Sequence, residues 1–223
     1  MKTRTPVRLL SVTRVAPTTF LAMPVFYFGF CSCCGSPSTT LADEGAPQGI
    51  VLYTTGVTGD SEIFALDVAA GRTWNVTCSS GSQDGDAALS PDKEHIAFAS
   101  DRNGHMEIYT MRIDGSDVQQ LTHHGVYAAH PTWSPDGAWI AFHMGPIGQW
   151  DIGIVSADGS DLRQVTSNPA SDFHPVWSPV ANRIVFESMR AGPPNLFLYD
   201  VDTGDLTQLT DDSGSNQQAA SAA

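Results

Sequence analysis

The chain has 223 residues, of which 41% are hydrophobic, and this length and composition fit one globular domain plus a tail. All 24 acidic residues lie from Asp43 onward, whereas four of the 11 basic residues precede it, so the segment from Asp43 carries 7 − 24 = −17 charges. A body this acidic repels phosphate backbones and anionic lipid head groups, which argues against nucleic acid and bare membrane as partners.

The first 42 residues, 1–42, have the order of a secretory signal peptide. A basic stretch precedes the uncharged residues 20–31, which are too few to span a membrane, and the small residues 32–40 follow. Cleavage after Ala42 would release a soluble product. The first prediction is therefore a periplasmic or secreted protein.

Cysteines near the end of this leader leave a second interpretation open. Cys31, Cys33 and Cys34 allow a lipidated leader of the bacterial lipoprotein kind, although Phe30 stands before Cys31 where such signals need a small residue. A wrongly assigned start codon is the third interpretation. Beyond the leader only Cys78 remains, so no disulfide is expected within the folded body.

After a short linker at residues 43–48, a period of 44 residues organises the chain. A Ser-Pro dipeptide is followed by an apolar triplet, then by a polar–apolar pair, and finally by a threonine. An earlier copy, which begins at Ile50 and has its pair at Glu62, lacks the opening strand. The three full copies place these landmarks at Ser90, Ser134 and Ser178, at Ile96, Ile140 and Ile184, at Glu107, Asp151 and Asn195, and at Thr122, Thr166 and Thr210.

Each unit is predicted to form four short strands. The first strand ends in a turn such as Ser-Pro-Asp-Gly at 134–137, where Pro in the second position and Gly in the fourth suit a type I turn. The apolar triplet forms the second strand and the polar–apolar pair begins the third. A hairpin turn such as Asp-Gly-Ser-Asp at 114–117 leads to the fourth strand, which ends on Leu-Thr.

Consecutive apolar residues in the second strand indicate how the sheets pack. Ile96, Ala97 and Phe98 point alternately to opposite faces of their sheet, so both faces must be covered. Sheets stacked around an axis meet this demand. We therefore predict an all-β fold, a β-propeller with four blades of four antiparallel strands over residues 49–212, in which Trp133 and Trp177 wedge between neighbouring blades.

Residues 213–223 are either a polar tail or a closing strand. Asn216 to Ser221 fall where the first strand of a further repeat would lie, so the C-terminus could complete the first blade and close the ring. The alternative is a partial, open propeller that associates with another chain or is a fragment.

The repeats resemble a known family. Residues 172–179 (Asp-Phe-His-Pro-Val-Trp-Ser-Pro), 133–142, 100–109 and the recurring Leu-Thr are similar to the repeats of the TolB-type β-propeller family, over about residues 49–210. In TolB itself, an α/β domain precedes a six-bladed periplasmic propeller that binds the peptidoglycan-associated lipoprotein. The chain shows neither six repeats nor that domain, and similar repeats occur in peptidase gating propellers and oligogalacturonate lyases, so the resemblance implies a fold more firmly than a function.

Two histidines at equivalent repeat positions form the candidate site. His130 and His174 are expected to converge near one mouth of the axial channel, with Asp86 from the preceding unit and Gln218 if the ring is closed by the tail. The alternative is that both are repeat consensus, with each imidazole bonded to a backbone carbonyl. No catalytic residue, metal or cofactor is expected, because no Gly-x-Ser-x-Gly elbow or phosphate-binding loop occurs.

The leading hypothesis is thus a non-catalytic, exported binding module that presents its loops to a protein or a cell-envelope component. It would contact membrane only through a lipid anchor and would self-associate if the ring is open. The alternative is an enzyme or enzyme accessory, either a metal-dependent oligogalacturonate-lyase-like protein or the gating propeller of a peptidase. A gene fragment without a role of its own is the third hypothesis.

Overall fold

The computed structural model describes residues 49–57 and 59–211, and these form β-strands and turns without a helix. Within this part of the chain, accordingly, there is no helix that could cross a membrane. The leader, the linker 43–48 and the closing segment of the tail lie outside the described residues. The strands are β1 (Ile50–Thr55), β2 (Glu62–Asp67), β3 (Arg72–Asn75), β4 (Asp84–Leu89), β5 (His95–Ser100), β6 (Glu107–Arg112), β7 (Gln119–Gln120), β8 (Tyr127–Trp133), β9 (Trp139–Gly145), β10 (Asp151–Ser156), β11 (Leu162–Gln164), β12 (Asp172–Trp177), β13 (Arg183–Ser188), β14 (Asn195–Asp200) and β15 (Leu206–Gln208).

The strands form four antiparallel sheets in chain order, which we call blades 1 to 4. Blade 1 contains β1–β3, and blades 2, 3 and 4 contain β4–β7, β8–β11 and β12–β15. Blade 1 has three strands among the described residues, as expected from a repeat that lacks its opening strand. The predicted all-β propeller architecture is confirmed.

The hydrophobic core lies between the blades. Ile96 and Phe98 of β5 pack with Ile63 of blade 1, whereas Ala97 and Ala99 of the same strand pack with blade 3 residues. All four β5 side chains are buried. The consecutive apolar residues thus cover both faces of one sheet, as the sequence predicts.

The polar–apolar pair and the Leu-Thr landmark belong to one hydrogen-bonded unit. The Thr122 hydroxyl accepts the Ile108 backbone N–H at 2.9 Å and donates to the Glu107 carboxylate. In blade 4, Thr210 accepts from Leu196 at 3.0 Å and donates to Asn195 at 2.9 Å. Each threonine therefore satisfies a polar side chain that the fold buries at the start of the third strand.

The Ser-Pro-Asp-Gly turn is also held by its own side chains. The Gly137 N–H donates to the Ser134 carbonyl at 3.0 Å, which closes the turn, and the Ser134 hydroxyl donates to Asp136 at 2.6 Å. This hydroxyl and the Ala138 N–H lower the pKa of the Asp136 carboxyl. Turn formation explains the sequence of this motif without invoking a binding role.

Both predicted wedge residues lie between blades, but they are enclosed to different degrees. Trp177 is buried in the core that blades 3 and 4 share. Trp133 is half-buried, packs against the core between blades 2 and 3, and donates its indole N–H to the Ala88 carbonyl of blade 2 at 3.1 Å. Trp177 is therefore the more deeply enclosed of the two.

Candidate functional site

A β-bulge interrupts the first strand of blades 2, 3 and 4 at the same repeat position. The register shifts between Gly85 and Ala88 in blade 2, and at the corresponding points of β8 and β12. Asp86, His130 and His174 lie in these bulges with φ angles of 52°, 54° and 51°. Residues other than glycine are uncommon in this left-handed region, and bulges of this kind change the direction in which a side chain points.

The structure brings three of the four predicted site residues together. The His130 Nε2 atom lies 3.6 Å from a carboxylate oxygen of Asp86. The rings of His130 and His174 meet edge to face with their centroids 4.6 Å apart. The fourth predicted residue, Gln218, lies outside the described residues.

A third imidazole joins this group and was not predicted. His143 of β9 is buried, and its ring centroid lies 5.0 Å from that of His130 and 6.0 Å from that of His174. The His174 backbone N–H points to His143 Nδ1 at 3.5 Å. His143 directly follows the apolar triplet of its repeat, a position that Glu187 occupies in blade 4.

Glu187 orients the ring of His174. The buried Glu187 carboxylate lies 3.0 Å from His174 Nδ1. An ionised carboxylate only accepts hydrogen bonds, so toward an ionised Glu187 the Nδ1 atom would be the donor. In the neutral ring, Nε2 is then the atom with the lone pair. His130 and His174 thus come from the bulged first strands of blades 3 and 4. His143 and Glu187 come from the same position of the second strands and meet them.

Burial keeps much of the group uncharged at neutral pH. Burial, together with the neighbouring His130 and His174, lowers the pKa of His143 to about 3. Burial also lowers the pKa of His130, with His174 acting in the same direction, while Asp86 opposes the shift. His130 and His143 therefore offer neutral imidazoles that can donate and accept hydrogen bonds.

Aromatic rings extend the cluster toward the loop between β9 and β10. Tyr127 and Trp150 both stack on His143, with centroid separations of 5.8 Å and 5.2 Å, and lie 6.2 Å from each other. Phe173 lies edge to face with Trp150 at 6.2 Å and with His174 at 5.0 Å. We call His130, His143, His174, Tyr127, Trp150 and Phe173 the ring cluster.

Comparison with known proteins places the repeats in a family. The family model described as the TolB beta propeller domain matches residues 37–145 and 128–223, which together span most of the chain. The chain belongs to the TolB β-propeller family. The resemblance that the sequence motifs suggest is confirmed.

Two solved structures of TolB proteins and one curated protein are similar to this chain. A protein from Agrobacterium tumefaciens assigned as TolB is 28% identical, with a TM-score of 0.64 over 76% of this chain and 63% of that one. TolB from Acinetobacter baumannii is 24% identical, with a TM-score of 0.65 over 77% of this chain and 44% of that one. An uncharacterised protein of Agrobacterium fabrum is 36% identical over 73 residues, which are 32% of this chain and 25% of the relative. The chain thus spans less than two thirds of the length of these relatives.

Some enzymes contain propellers of the same fold. A puromycin-hydrolysing peptidase of Mycobacterium tuberculosis is 17% identical with a TM-score of 0.60, and an oligogalacturonate lyase of Vibrio parahaemolyticus is 10% identical with a TM-score of 0.59. Identities this low show the fold alone. In the ranges 49–57 and 59–211, no three His, Cys, Asp or Glu side chains are arranged to hold a metal ion.

The burial of His143 predicts that acid destabilises this TolB-type propeller. The unfolded chain takes up a proton near pH 6.5 and the folded chain near pH 3, so protonation favours unfolding between these values. Stability is therefore complete above pH 6.5 and is lost as the pH falls. We expect the protonation linked to His143 to lower the free energy of unfolding by about 2 kcal/mol when the pH falls from 8 to 5.

Urea unfolding at the two pH values measures this loss. His143→Gln should remove most of it, whereas His124→Gln, which changes an exposed histidine, should leave it unchanged. An equal pH dependence in the wild-type and His143→Gln proteins would contradict the prediction.

Proposed function

We propose that this TolB-type propeller is a non-catalytic, exported binding module that recognises a protein or cell-envelope partner at the end of the propeller where the ring cluster lies. The observation that carries the proposal is the convergence of His130, His143 and His174 beside aromatic rings, with His130 and His174 presented from β-bulges. Ligand sites commonly combine aromatic walls with a few polar groups that fix orientation.

Exposed apolar side chains at the same end support a macromolecular partner. Because the blades repeat one strand order, the loops between their second and third strands leave the propeller at one end. Val57, Ile147 and Met189 lie in these loops of blades 1, 3 and 4, and all three are exposed. The Ile147 loop leads directly into Trp150 of the ring cluster. Apolar residues grouped beside a polar site are typical of docking surfaces.

The opposite end has a different character. Several of the aspartates in its turns accept hydrogen bonds from residues of the same turn. In one such turn, the Ser156 hydroxyl and the Ser160 N–H lower the pKa of Asp158 to about 2. Such residues serve turn formation and solubility. Because the opposite end also exposes Val180, the preference for the ring-cluster end as the binding face depends on its histidines and aromatic rings.

The leader predicted at residues 1–42 and the periplasmic location that the family resemblance implies both support export. We propose a soluble periplasmic or secreted protein, with a lipid anchor at one of the leader cysteines as the alternative. Mass spectrometry of the protein purified from its own cells distinguishes cleavage after Ala42 from lipidation.

Partner capture from envelope extract tests the binding face. Ile147→Asp is expected to weaken capture of the specific partner about tenfold or more, because the loss of one buried apolar contact costs at least about 1.4 kcal/mol. A double variant, His130→Ala with His174→Ala, should weaken capture similarly.

Val180→Asp provides the matched control. Val180 is 88% exposed, close to the 86% of Ile147, but it lies in the turn between the first and second strands, at the opposite end. Capture by this variant should equal that of the wild-type protein. Equal losses for Ile147→Asp and Val180→Asp, or a partner retained by all variants, would contradict the proposed face.

A further inference from the structure

A cavity lies between blades 2 and 3 at the end of the propeller opposite the ring cluster. Its volume is about 300 Å³, which is at the lower end of the range for small-molecule sites. The wall includes the turn between the first and second strands of blade 2 and the turn that leads to its fourth strand. Blade 2 contributes Asp92, His95, Thr110, Asp117 and Gln119 to this wall, and blade 3 contributes Trp133.

The equivalent positions at the boundary between blades 3 and 4 carry larger apolar side chains. In place of His95, Thr110 and Ala157, the residues 44 positions later are Trp139, Ile154 and Val201. These three belong to or pack against the core that blades 3 and 4 share. Arg163, which stands in place of Gln119, lies over the Trp139 ring at 4.5 Å. The cavity is therefore a property of these particular residues and not of the repeat fold.

Thr110 presents a hydroxyl to the cavity. Ile108 and Thr110 are two residues apart on β6, so they share the face of blade 2 that packs on blade 3. Thr110 is 6% exposed, and within residues 49–57 and 59–211 its hydroxyl makes no hydrogen bond. Because buried hydroxyls are normally bonded, this group is available to a molecule that enters the cavity.

The ionisable groups of the wall are two carboxylates and one imidazole. The Ser90 hydroxyl and the Glu94 N–H donate to one oxygen of Asp92 and lower the pKa of its carboxyl, so Asp92 is ionised at neutral pH. The other Asp92 oxygen lies 3.6 Å from the Nδ1 atom of His95. Asp117 is exposed, and its carboxylate has no hydrogen-bond donor among the described residues. No lysine or arginine from that part of the chain lines the cavity, so its charge is negative.

Trp133 and Gln119 add an apolar surface and an acceptor. The Trp133 indole N–H already donates to the Ala88 carbonyl at 3.1 Å, so the ring offers the cavity its apolar surface. The Gln119 side-chain amide donates to the Asp158 carbonyl at 3.0 Å, which leaves its carbonyl oxygen as an acceptor. Aromatic rings beside carboxylates and other acceptors favour organic cations.

We infer that this cavity binds a small organic cation, an alkylguanidinium or alkylammonium group. The charged head group bonds to the carboxylates of Asp92 and Asp117, and the apolar chain lies against Trp133. A free amine and a lysine or arginine side chain of another protein both present this chemistry. The site is separate from the ring cluster and does not depend on the partner proposed for that end.

Isothermal titration calorimetry of the purified full chain with agmatine, an alkylguanidine that also carries an ammonium group, tests the inference. A salt concentration of about 150 mM screens general attraction to the acidic body. We expect a Kd below about 1 mM for agmatine and no binding of uncharged n-butanol. A Gly-Arg-Gly peptide with both ends blocked distinguishes the sources: binding of both probes indicates a protein side chain as well, and binding of agmatine alone indicates a free amine.

Thr110→Ile introduces the residue that blade 3 has at the equivalent position. It should fill the cavity and weaken agmatine binding about tenfold or more, although the charge of the protein is unchanged. Asp117→Asn should weaken binding about three- to fivefold, because it removes one carboxylate at a solvent-exposed position. Asp161→Asn is the matched control, because Asp161 occupies the position of Asp117 in blade 3 and lies outside the cavity.

Equal agmatine affinities for the wild-type, Thr110→Ile and Asp117→Asn proteins would show general attraction to an acidic surface and would overturn the inference. The absence of binding by either probe would also overturn it. Thermal unfolding curves establish that each variant is folded. Asp117→Asn changes an exposed side chain, so it tests the site even if Thr110→Ile does not fold.

Discussion

Replacing Trp177 with Ala is expected to lower the free energy of unfolding by about 3–5 kcal/mol. Trp177 is buried in the core between blades 3 and 4, where it packs among Ala141, Ile184 and other apolar side chains. The rigid sheets on both sides cannot collapse into the cavity that Ala would leave. The loss therefore includes both the buried ring surface and the cavity.

Trp177→Phe separates packing from hydrogen bonding at this position. The Trp177 indole N–H is buried and has no hydrogen-bond partner among the described residues. Phe keeps most of the ring contacts and removes the unsatisfied donor, so its cost should be well below that of Ala. Urea unfolding followed by circular dichroism measures both variants.

Trp133→Ala is the comparison at the equivalent position of the preceding repeat. Trp133 is half-buried, so less apolar surface is lost, although its hydrogen bond to Ala88 is removed as well. The loss of stability should be smaller than for Trp177→Ala. Equal effects at both positions, or a loss below about 1 kcal/mol at Trp177, would contradict the assigned burial.

The repeat architecture could be predicted from sequence because its landmarks interact at fixed separations. Thr122 bonds to Glu107 within one blade, and Ser134 bonds to Asp136 within one turn. Such pairs recur every 44 residues, so the spacing alone reveals them. The alternation of Ile96 and Ala97 between two faces likewise follows from strand geometry.

The candidate site was less predictable because its contacts cross blade boundaries. The period correctly paired His130 with His174 and Asp86, but it gave no sign of the bulges that place these residues at positive φ. His143 and His174 are 31 residues apart in sequence and belong to neighbouring blades, yet they are in contact. One signal in the sequence could have pointed to His143, because His143 and Glu187 share a repeat position. That signal is informative only when the second strand of each blade is known to lie beside the first strand, which carries His130 or His174. The role of Gln218 stays a prediction.

Removing the Arg190 side chain is expected to cost about 3–5 kcal/mol, because it leaves a buried charge without compensation. The Arg190 guanidinium lies 2.5 Å from one carboxylate oxygen of Asp172, and Asp172 is fully buried. The other carboxylate oxygen of Asp172 has no hydrogen-bond partner among the described residues. The carboxylate therefore depends strongly on Arg190, which is itself held by the Ser188 hydroxyl at 2.8 Å and lies over the Phe197 ring at 4.9 Å.

Blade 3 shows that the repeat folds without this ion pair, because Ala128 and Pro146 occupy the equivalent positions. The double variant Asp172→Ala with Arg190→Met should therefore be clearly more stable than Arg190→Met alone, because it removes the unpaired carboxylate. Arg163→Met is the surface control: Arg163 pairs with Asp161 in solvent and lies over the Trp139 ring at 4.5 Å, so a loss of no more than about 1 kcal/mol is expected. A double variant as unstable as Arg190→Met would show that the loss comes from packing of the arginine stem over Phe197 and not from the buried charge.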